Sequence, residues 1–570
     1  TRADFDFDRG SNAAATRIGS DGLLKKYQEN LLLQSNNFGT TWAVNTASVT
    51  SGQIGYDGSS DAWLLNKAGA NKFLYQTTTF VGVQTISIYA KAGSLNWLNI
   101  NCGGGVYGGY FDLSNGVTGS NIGTAISTKI EAVGNTGWYR CEVSGIYNGS
   151  TSFRVYPADG NNDTSGTSGN ILIQSAQLET GLAATDVLTS GATTAKSGLL
   201  IDLPRINYDA NGENGALLLE PSRTNQWSYS EYVSGNHLVS SPIITENYAV
   251  SPEGLSNAFR IQDTTGGTFK RISLSSSGLS VSANSTYTQS LFVKKATSAI
   301  TKYGGIGFDF TGGSTRKIAY VVFDEYNGTL VELTSSFPAI TTLHPVEDYG
   351  DYWRFSVSVT DNGSNTNMSM NIYACLSGNG TSVGTGQNDW TGYGLQLEAG
   401  SYATSYIPTM GTAQTRAADT YKKLGFGNTS TEGTFFIEFE ASNLKSSNGM
   451  YMYGLAVGTT DLGTSYANSS GALSIIANGA KIQAMNNGYA TNLFSFTPSV
   501  GEIAKIAIRY DGTNVVGFVN GVKQTTHTDN AVGVKNSIRV NNGEQSSHAT
   551  KQILFFPSSL TDAEAIALTS

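Results

Sequence analysis

Glu347, Asp348 and Asp351 stand together just before Trp353, and carboxylates are the groups that glycoside hydrolysis requires in pairs. A solvated turn leading into a strand accounts for the same cluster, and no other reactive set supports an enzyme. The four histidines, His237, His344, His527 and His548, form neither His-x-x-x-His nor His-Glu-x-x-His, so no zinc site is expected. No Gly-x-Ser-x-Gly elbow with a matching His and Asp order stands out. The run Gly103-Gly-Gly-Val-Tyr-Gly-Gly109 lacks the lysine and helix start of a phosphate cradle; it reads as a turn or bulge beside Tyr107. Asp159-Gly-Asn-Asn-Asp163 carries oxygen donors that suit calcium, but no glutamate follows at binding-loop spacing. A plain Asn/Gly turn fits it better, and calcium is left without support. Cys102, Cys141 and Cys375 have no metal-ligand spacing. They read as buried free thiols, with a Cys102–Cys141 pair as the alternative.

Chemistry by surface contact remains. Sugars present apolar C–H faces ringed by hydroxyls, so their sites join a flat aromatic ring to amide, carboxylate or backbone partners. Trp97, Tyr107, Tyr110 and Trp390 sit beside Gly- or Asn-rich stretches and are the candidate platforms. Core or rim positions are the alternative for each of them.

The elements that would carry these rings are written twice. Asn30-Leu-Leu-Leu-Gln-Ser, Asp61-Ala-Trp, Thr85-Ile-Ser-Ile-Tyr-Ala-Lys, Phe111-Asp, Trp138-Tyr-Arg and Gln177-Leu-Glu recur in order. Their counterparts are Asn225-Gln-Trp-Ser-Tyr-Ser, Asn257-Ala-Phe, Thr288-Gln-Ser-Leu-Phe-Val-Lys, Phe323-Asp, Tyr352-Trp-Arg and Gln396-Leu-Glu. The offset between matched positions only grows, from 195 (30 to 225) to 219 (177 to 396), as it does when a copied fold gains loop residues. Period-two alternation marks the strands: Ile86, Ile88 and Ala90 face inward, as do Leu291 and Val293. Trp138 and Trp353, at the starts of late strands, are expected to anchor the cores between sheets.

Composition agrees. The 570 residues include 67 glycines and only 14% charged residues, yet 11% aromatics, which a disordered polar chain would not carry. The net charge of −9 and the scattered Lys and Arg argue against nucleic acid as a partner. No apolar run is long enough for a membrane helix. The chain opens on Thr1, which reads as a processed start or a fragment. We therefore expect an all-β protein of tandem β-sandwich (jelly-roll) domains joined by β-rich connectors. The divisions are a connector at 1–28, module 1 at 29–189, a connector at 190–224, module 2 at 225–410, a connector at 411–423 and a last domain at 424–570. In that last domain Tyr510-Asp-Gly-Thr and Val519-Asn-Gly-Val mark two tight turns. Leu560–Leu568 predicts one helix, capped by Thr561 or Asp562.

The two-turn hairpin closed by Leu560-Thr-Asp-Ala-Glu resembles a laminin-G/concanavalin-like jelly roll. The strings at Asp6–Ser11, Ala15–Arg17, Glu29–Ser35, Leu217–Asn225 and Gln396–Thr409 are similar to those of modular phage tail-fibre and receptor-binding proteins, notably of aquatic bacteria. In such proteins these strings separate carbohydrate-binding-like β-sandwiches. The first copy departs from the pattern, ending Thr185-Asp-Val-Leu-Thr without Tyr-Ile-Pro. The resemblance implies a non-enzymatic virion or extracellular fibre, homotrimeric by analogy. Its partners would be bacterial surface polysaccharide and other virion tail proteins, with no membrane insertion. Position favours the last domain as the receptor-touching unit. A polysaccharide-degrading tailspike, a structural filament without ligands and a secreted bacterial adhesin are the alternatives.

Overall fold

Alternating apolar residues on short strands need a second sheet to bury them, and the chain meets that need three times. A computed structural model describes the chain apart from residues 1–5, 9–13, 201–202, 424–427, 444–445, 458–472, 480, 487–490, 500, 529–533 and 541–546. Thr1–Asp4, Arg9–Ser11 and the side chain of His548 lie outside the described residues. No described helix is long and apolar enough to cross a membrane.

Module 1 packs two antiparallel sheets. One, here the platform sheet, runs Val117–Gly123, Tyr107–Asp112, Trp97–Cys102, Gly149–Ala158, Phe73–Phe80, Ala43–Asn45. The other, the clasp sheet, runs Ser127–Ala132, Trp138–Ile146, Val83–Ala92, Ser168–Thr180, Ala62–Ala68, Ala47–Gln53. Module 2 repeats both in the same spatial order. Its platform sheet is Thr329–Leu333, Lys317–Asp324, Tyr303–Thr311, Asn367–Ser377, Arg271–Ser273, His237–Val239. Its clasp sheet is Ile340–Leu343, Tyr352–Thr360, Thr286–Lys294, Asn388–Ala399, Ala258–Asp263, Ile243–Ala249. Ile86, Ile88 and Ala90 fill the first core, and Leu291 and Val293 the second.

The tryptophan expectation holds for one module only. Trp353 packs against the inter-sheet core. On the matching strand Tyr139, Cys141 and Val143 point into the core, so alternation puts Trp138 on the opposite face. Trp138-Tyr and Tyr352-Trp have the same two aromatic positions with their order reversed, and a shift of one residue changes the face.

The repeated Asn and Gln-Leu-Glu strings build the same buried clasp in both modules. Asn30 donates to Ala176 O (3.1 Å) and Leu188 O (2.8 Å), and accepts from the N–H of Leu32 and Leu178. Asn225 donates to Leu395 O (2.9 Å) and Ile407 O (2.8 Å), and accepts from Trp227 and Leu397. Gln177 accepts from Leu188 N and donates to Glu179; Gln396 accepts from Ile407 N and donates to Glu398. Each glutamate takes the N–H and hydroxyl of one threonine, Thr185 or Thr404. Arg140 and Arg354 cap the carbonyls of those threonines. The two module exits are thus equivalent although their sequences differ. Beside each clasp the incoming and outgoing strands pair, Gln28–Asn30 with Ala195–Ser197 and Arg223–Asn225 with Gln414–Arg416.

Strands outside the modules complete the last sandwich. Asp6–Asp8 and Thr420–Lys423 extend one of its sheets, and Ala216–Leu219 pairs with Ser547–Phe556 in the other. Leu219 is buried in its core, with Leu217 packed alongside. The expected turns are present, with Asn520 at φ 45° and Gly521 at φ 78°. Helix Asp562–Thr569 starts from a capping box between Thr561 and Glu564. Where these segments meet, Arg205 pairs with Asp419 and Glu220, and Arg416 pairs with Glu220 (2.9 Å). Arg205 also donates to Thr16 O (3.0 Å).

Two predictions follow from the clasp and this charge network. Asn225→Ala strands four buried backbone groups and should lower module 2 stability by about 2–4 kcal/mol, with Asn30→Ala doing the same to module 1; urea unfolding checks both. Burial alone would raise the Glu220 pKa, but Arg416 and Arg205 outweigh it and bring the carboxyl down to about 2. A depressed carboxyl stabilises the fold above its unfolded pKa and loses that stability as pH falls towards the folded value. Melting temperature should therefore drop between about pH 4.5 and 2, and less steeply in Glu220→Gln.

Candidate functional site

Each sheet has an outer face, and on the platform sheets that face carries aromatic and amide side chains. In module 1, strand register lines up Tyr110, Asn99 and Tyr156 across three strands. The next row holds Gly108, Asn101, Arg154 and Tyr75. Phe73 lies between the rows, 4.7 Å from Tyr156 and 5.5 Å from Tyr75 by ring centroid. The Arg154 guanidinium sits 4.8 Å above the Phe73 ring. Asn101 donates to Asn99 Oδ1 (2.7 Å), and Asn99 donates to Gly109 O (3.0 Å). The Asn101 Oδ1 is buried without a partner. An open groove of about 470 Å³ runs along Asn45, Phe73, Tyr75, Thr77, Ser152 and Arg154.

Module 2 arranges similar chemistry on the equivalent face. Tyr320, Gly307, Asn371 and Ser273 form one row, and Val322, Gly305, Tyr373 and Arg271 the next. A Cβ on Gly307 would lie 2.8 Å from Tyr373 and 3.2 Å from Tyr320, so glycine lets both rings close over the strand. Arg271 lies 5.8 Å from the Tyr373 ring and donates to Asn371 Oδ1 (3.1 Å). Burial raises the pKa of Tyr110, Tyr320 and Tyr373, so all three hydroxyls stay protonated and able to donate at neutral pH.

The four sequence candidates separate. Trp97 and Tyr110 lie on the module 1 face, Trp97 half-buried across Gly119. Tyr107 and Trp390 do not reach a surface. Tyr107 pairs with Cys102 on the inner side of its strand and is wholly buried in the first core. Trp390 packs on Phe259 and Phe323 in the second core and donates to Tyr373 O and Ala374 O (both 3.2 Å). Both correct the expectation of a platform, because residues at odd and even strand positions face opposite ways. Phe73, Tyr75, Tyr156 and Arg154 also lie on the module 1 face and are not among the sequence candidates, although the alternation Phe73-Leu-Tyr75 and Phe153-Arg-Val-Tyr156 marks them.

The remaining candidates have structural partners. Asp348 pairs with Lys295 (2.7 Å) and Glu347 lies 3.7 Å from Arg354, on the edge strand Glu347–Tyr349. Asp159 pairs with Lys67 and accepts from Gly166 N, while Asn161 holds Ser120 N (2.7 Å), so this turn braces the platform sheet. Gly103, Gly104 and Gly105 all have positive φ and make the turn before Tyr107. Cys102 and Cys141 are free rather than paired, and Cys375 is free as well. Among the described residues no three His, Cys, Asp or Glu side chains converge as metal ligands.

The chain is thus an all-β protein of tandem antiparallel sandwiches. No protein-family model matches it, and no curated protein matches it. Parts of it are similar to solved β-sandwich structures. One is the CBM40 of the Ruminococcus gnavus IT-sialidase bound to alpha2,3 sialyllactose, at 13% identity over 24% of this chain and 83% of that one, TM-score 0.19. Another is the mouse laminin alpha1 chain, domains LG4-5, at 11% over 50% and 89%, TM-score 0.18. A third is the receptor binding domain of botulinum neurotoxin C/D mosaic serotype, at 10% over 27% and 40%, TM-score 0.22.

Burial pushes the Cys102 thiol up to about 12 and raises Cys141 and Cys375 too. No thiol should react with a disulfide reagent at pH 8 in the native protein, and three should after denaturation. Fewer than three in denaturant would contradict free cysteines.

Proposed function

We propose that this chain is a non-enzymatic receptor-binding fibre protein of a phage virion that recognises bacterial surface glycans through its two modules. The observation that carries the reading is the module 1 platform face, where Phe73, Tyr75, Tyr110 and Tyr156 lie among Asn99, Asn101 and Arg154. Phe73 and Tyr75, half-buried, offer flat apolar area to sugar C–H faces with Tyr110 and Tyr156 packed beneath, and the Arg154 guanidinium supplies donors for hydroxyls. The equivalent face of module 2 keeps the same residue classes with different residues. Two such faces on one chain raise avidity through effective concentration, and trimerisation would multiply them. The strings at Glu29–Ser35 and Gln396–Thr409, similar to those of tail fibres, support the virion assignment. This reading moves the receptor site from the last domain to the modules. An open groove of the last domain, along Glu438, Ile503, Lys505, Asn520, Thr569 and Ser570, has no aromatic ring among its described lining residues.

The test is binding of the full chain to polysaccharides from candidate host bacteria, followed by sizing of the recovered polymer. Retention of full-length polymer, weakened about tenfold or more in Phe73→Ala/Tyr75→Ala, is the expected result. Shortened polymer would establish a depolymerase instead. No retention by any polymer would leave a structural filament.

A further inference from the structure

Arg154 is held in an unusual electrostatic setting. Its Nε donates to Ser152 Oγ (2.8 Å), and its terminal nitrogens have no acceptor among the described residues. No described carboxylate pairs with it, although the chain carries a net charge of −9. Three other sheet arginines do have a carboxylate: Arg260 pairs with Asp389, Arg316 with Asp309, and Arg509 with Asp562. The Arg154 head is also fixed in place, stacked on Phe73 and walled by the Gly104 backbone, where a Cβ would lie 2.6 Å from Nη1. The groove lining therefore presents one cation, Arg154, and no carboxylate beside an aromatic floor.

Module 2 repeats the arrangement one strand over. Arg271, on the strand equivalent to Phe73–Phe80, lies over Tyr373, and its terminal nitrogens likewise have no acceptor among the described residues. The arginine and its ring have changed strands between the copies while their association has persisted. A merely structural cation–π contact gives no reason for the unmatched charge to persist on the same face of both copies.

We propose that the module 1 groove takes an acidic sugar, with its ring against Phe73 and Tyr75 and its carboxylate on the Arg154 fork. This rests on the glycan-binding reading above and names the class of sugar. With Nε held by Ser152, the free Nη1/Nη2 end of the planar guanidinium matches a carboxylate in a bidentate pair, which is stronger and more directional than a contact to a neutral hydroxyl. Arg154 is then the residue that separates acidic from neutral glycans, and Arg271 would do the same in module 2.

The experiment uses the full chain and an array of bacterial polysaccharides containing uronic or nonulosonic acids. Each is presented both intact and after chemical reduction of its carboxyl groups to alcohols. Intact polymers should bind at least about tenfold more tightly than their reduced forms, with affinity falling as salt rises. Arg154→Gln should remove most of that preference, and Arg154→Lys, which keeps the charge but not the fork, should restore part of it. Equal binding of intact and reduced polymer, lost in Phe73→Ala, would overturn the carboxylate while leaving glycan recognition in place. Binding of neither form would overturn both. The comparison of intact with reduced polymer needs no variant, so it decides the matter even if a substitution at Arg154 disturbs folding.

Discussion

The structure depends on satisfying backbone polar groups where each module's chain enters and leaves. At those points Asn30 and Asn225 are fully buried, out of reach of water, and any unmatched N–H or C=O beside them would cost on the order of 1–3 kcal/mol. One asparagine amide answers four of those groups at once, because it can donate twice and accept twice. Asn30 and Asn225 do this with the same partners in the two modules. The glutamine and glutamate that follow then hold the outgoing loop by its threonine. The clasp brings the two ends of each module together. The segments beyond can therefore converge on the last sandwich, where Leu219 enters the core and Arg205, Glu220, Arg416 and Asp419 are buried together. Such a charge cluster is costly to desolvate, and its value lies in fixing which segments meet.

Much of this was legible in the sequence. The duplication, the strand phases at Ile86 and Leu291, the hairpin turns and the terminal helix follow from local pattern, which acts over a few residues. The Gln-Leu-Glu strings stood out as repeats, but their role required knowing that residue 30 lies beside residue 178. That is a long-range fact no periodicity carries. The same limit explains Leu217–Leu219, a short apolar run that local pattern placed in a connector and that pairs with a strand more than 300 residues away.

The platform was harder to read because tyrosines serve both sides of a sheet. Tyr107 and Tyr110 are three residues apart and so face opposite ways, one into the core and one onto the platform. Trp390 departs from expectation for a related reason: its indole N–H is satisfied by carbonyls within the core, which allows a polar-tipped ring to be buried. The residues that define the groove lie on strands 73–80 and 149–158, far apart in sequence and adjacent only in the folded sheet. Between the copies the framework has been kept while the face has diverged, the pattern expected when stability constrains one side of a sheet and ligand contact the other.

The central claim is that the outer faces of the platform sheets are where ligand meets protein. It is tested most directly by the structure of the full chain bound to an oligosaccharide released from a polymer that it retains. The account predicts sugar rings lying on Phe73, Tyr75 and Tyr156 beside Arg154, or on Tyr320 and Tyr373 beside Arg271. Sugar held only by the last sandwich, with both platform faces bare, would contradict it.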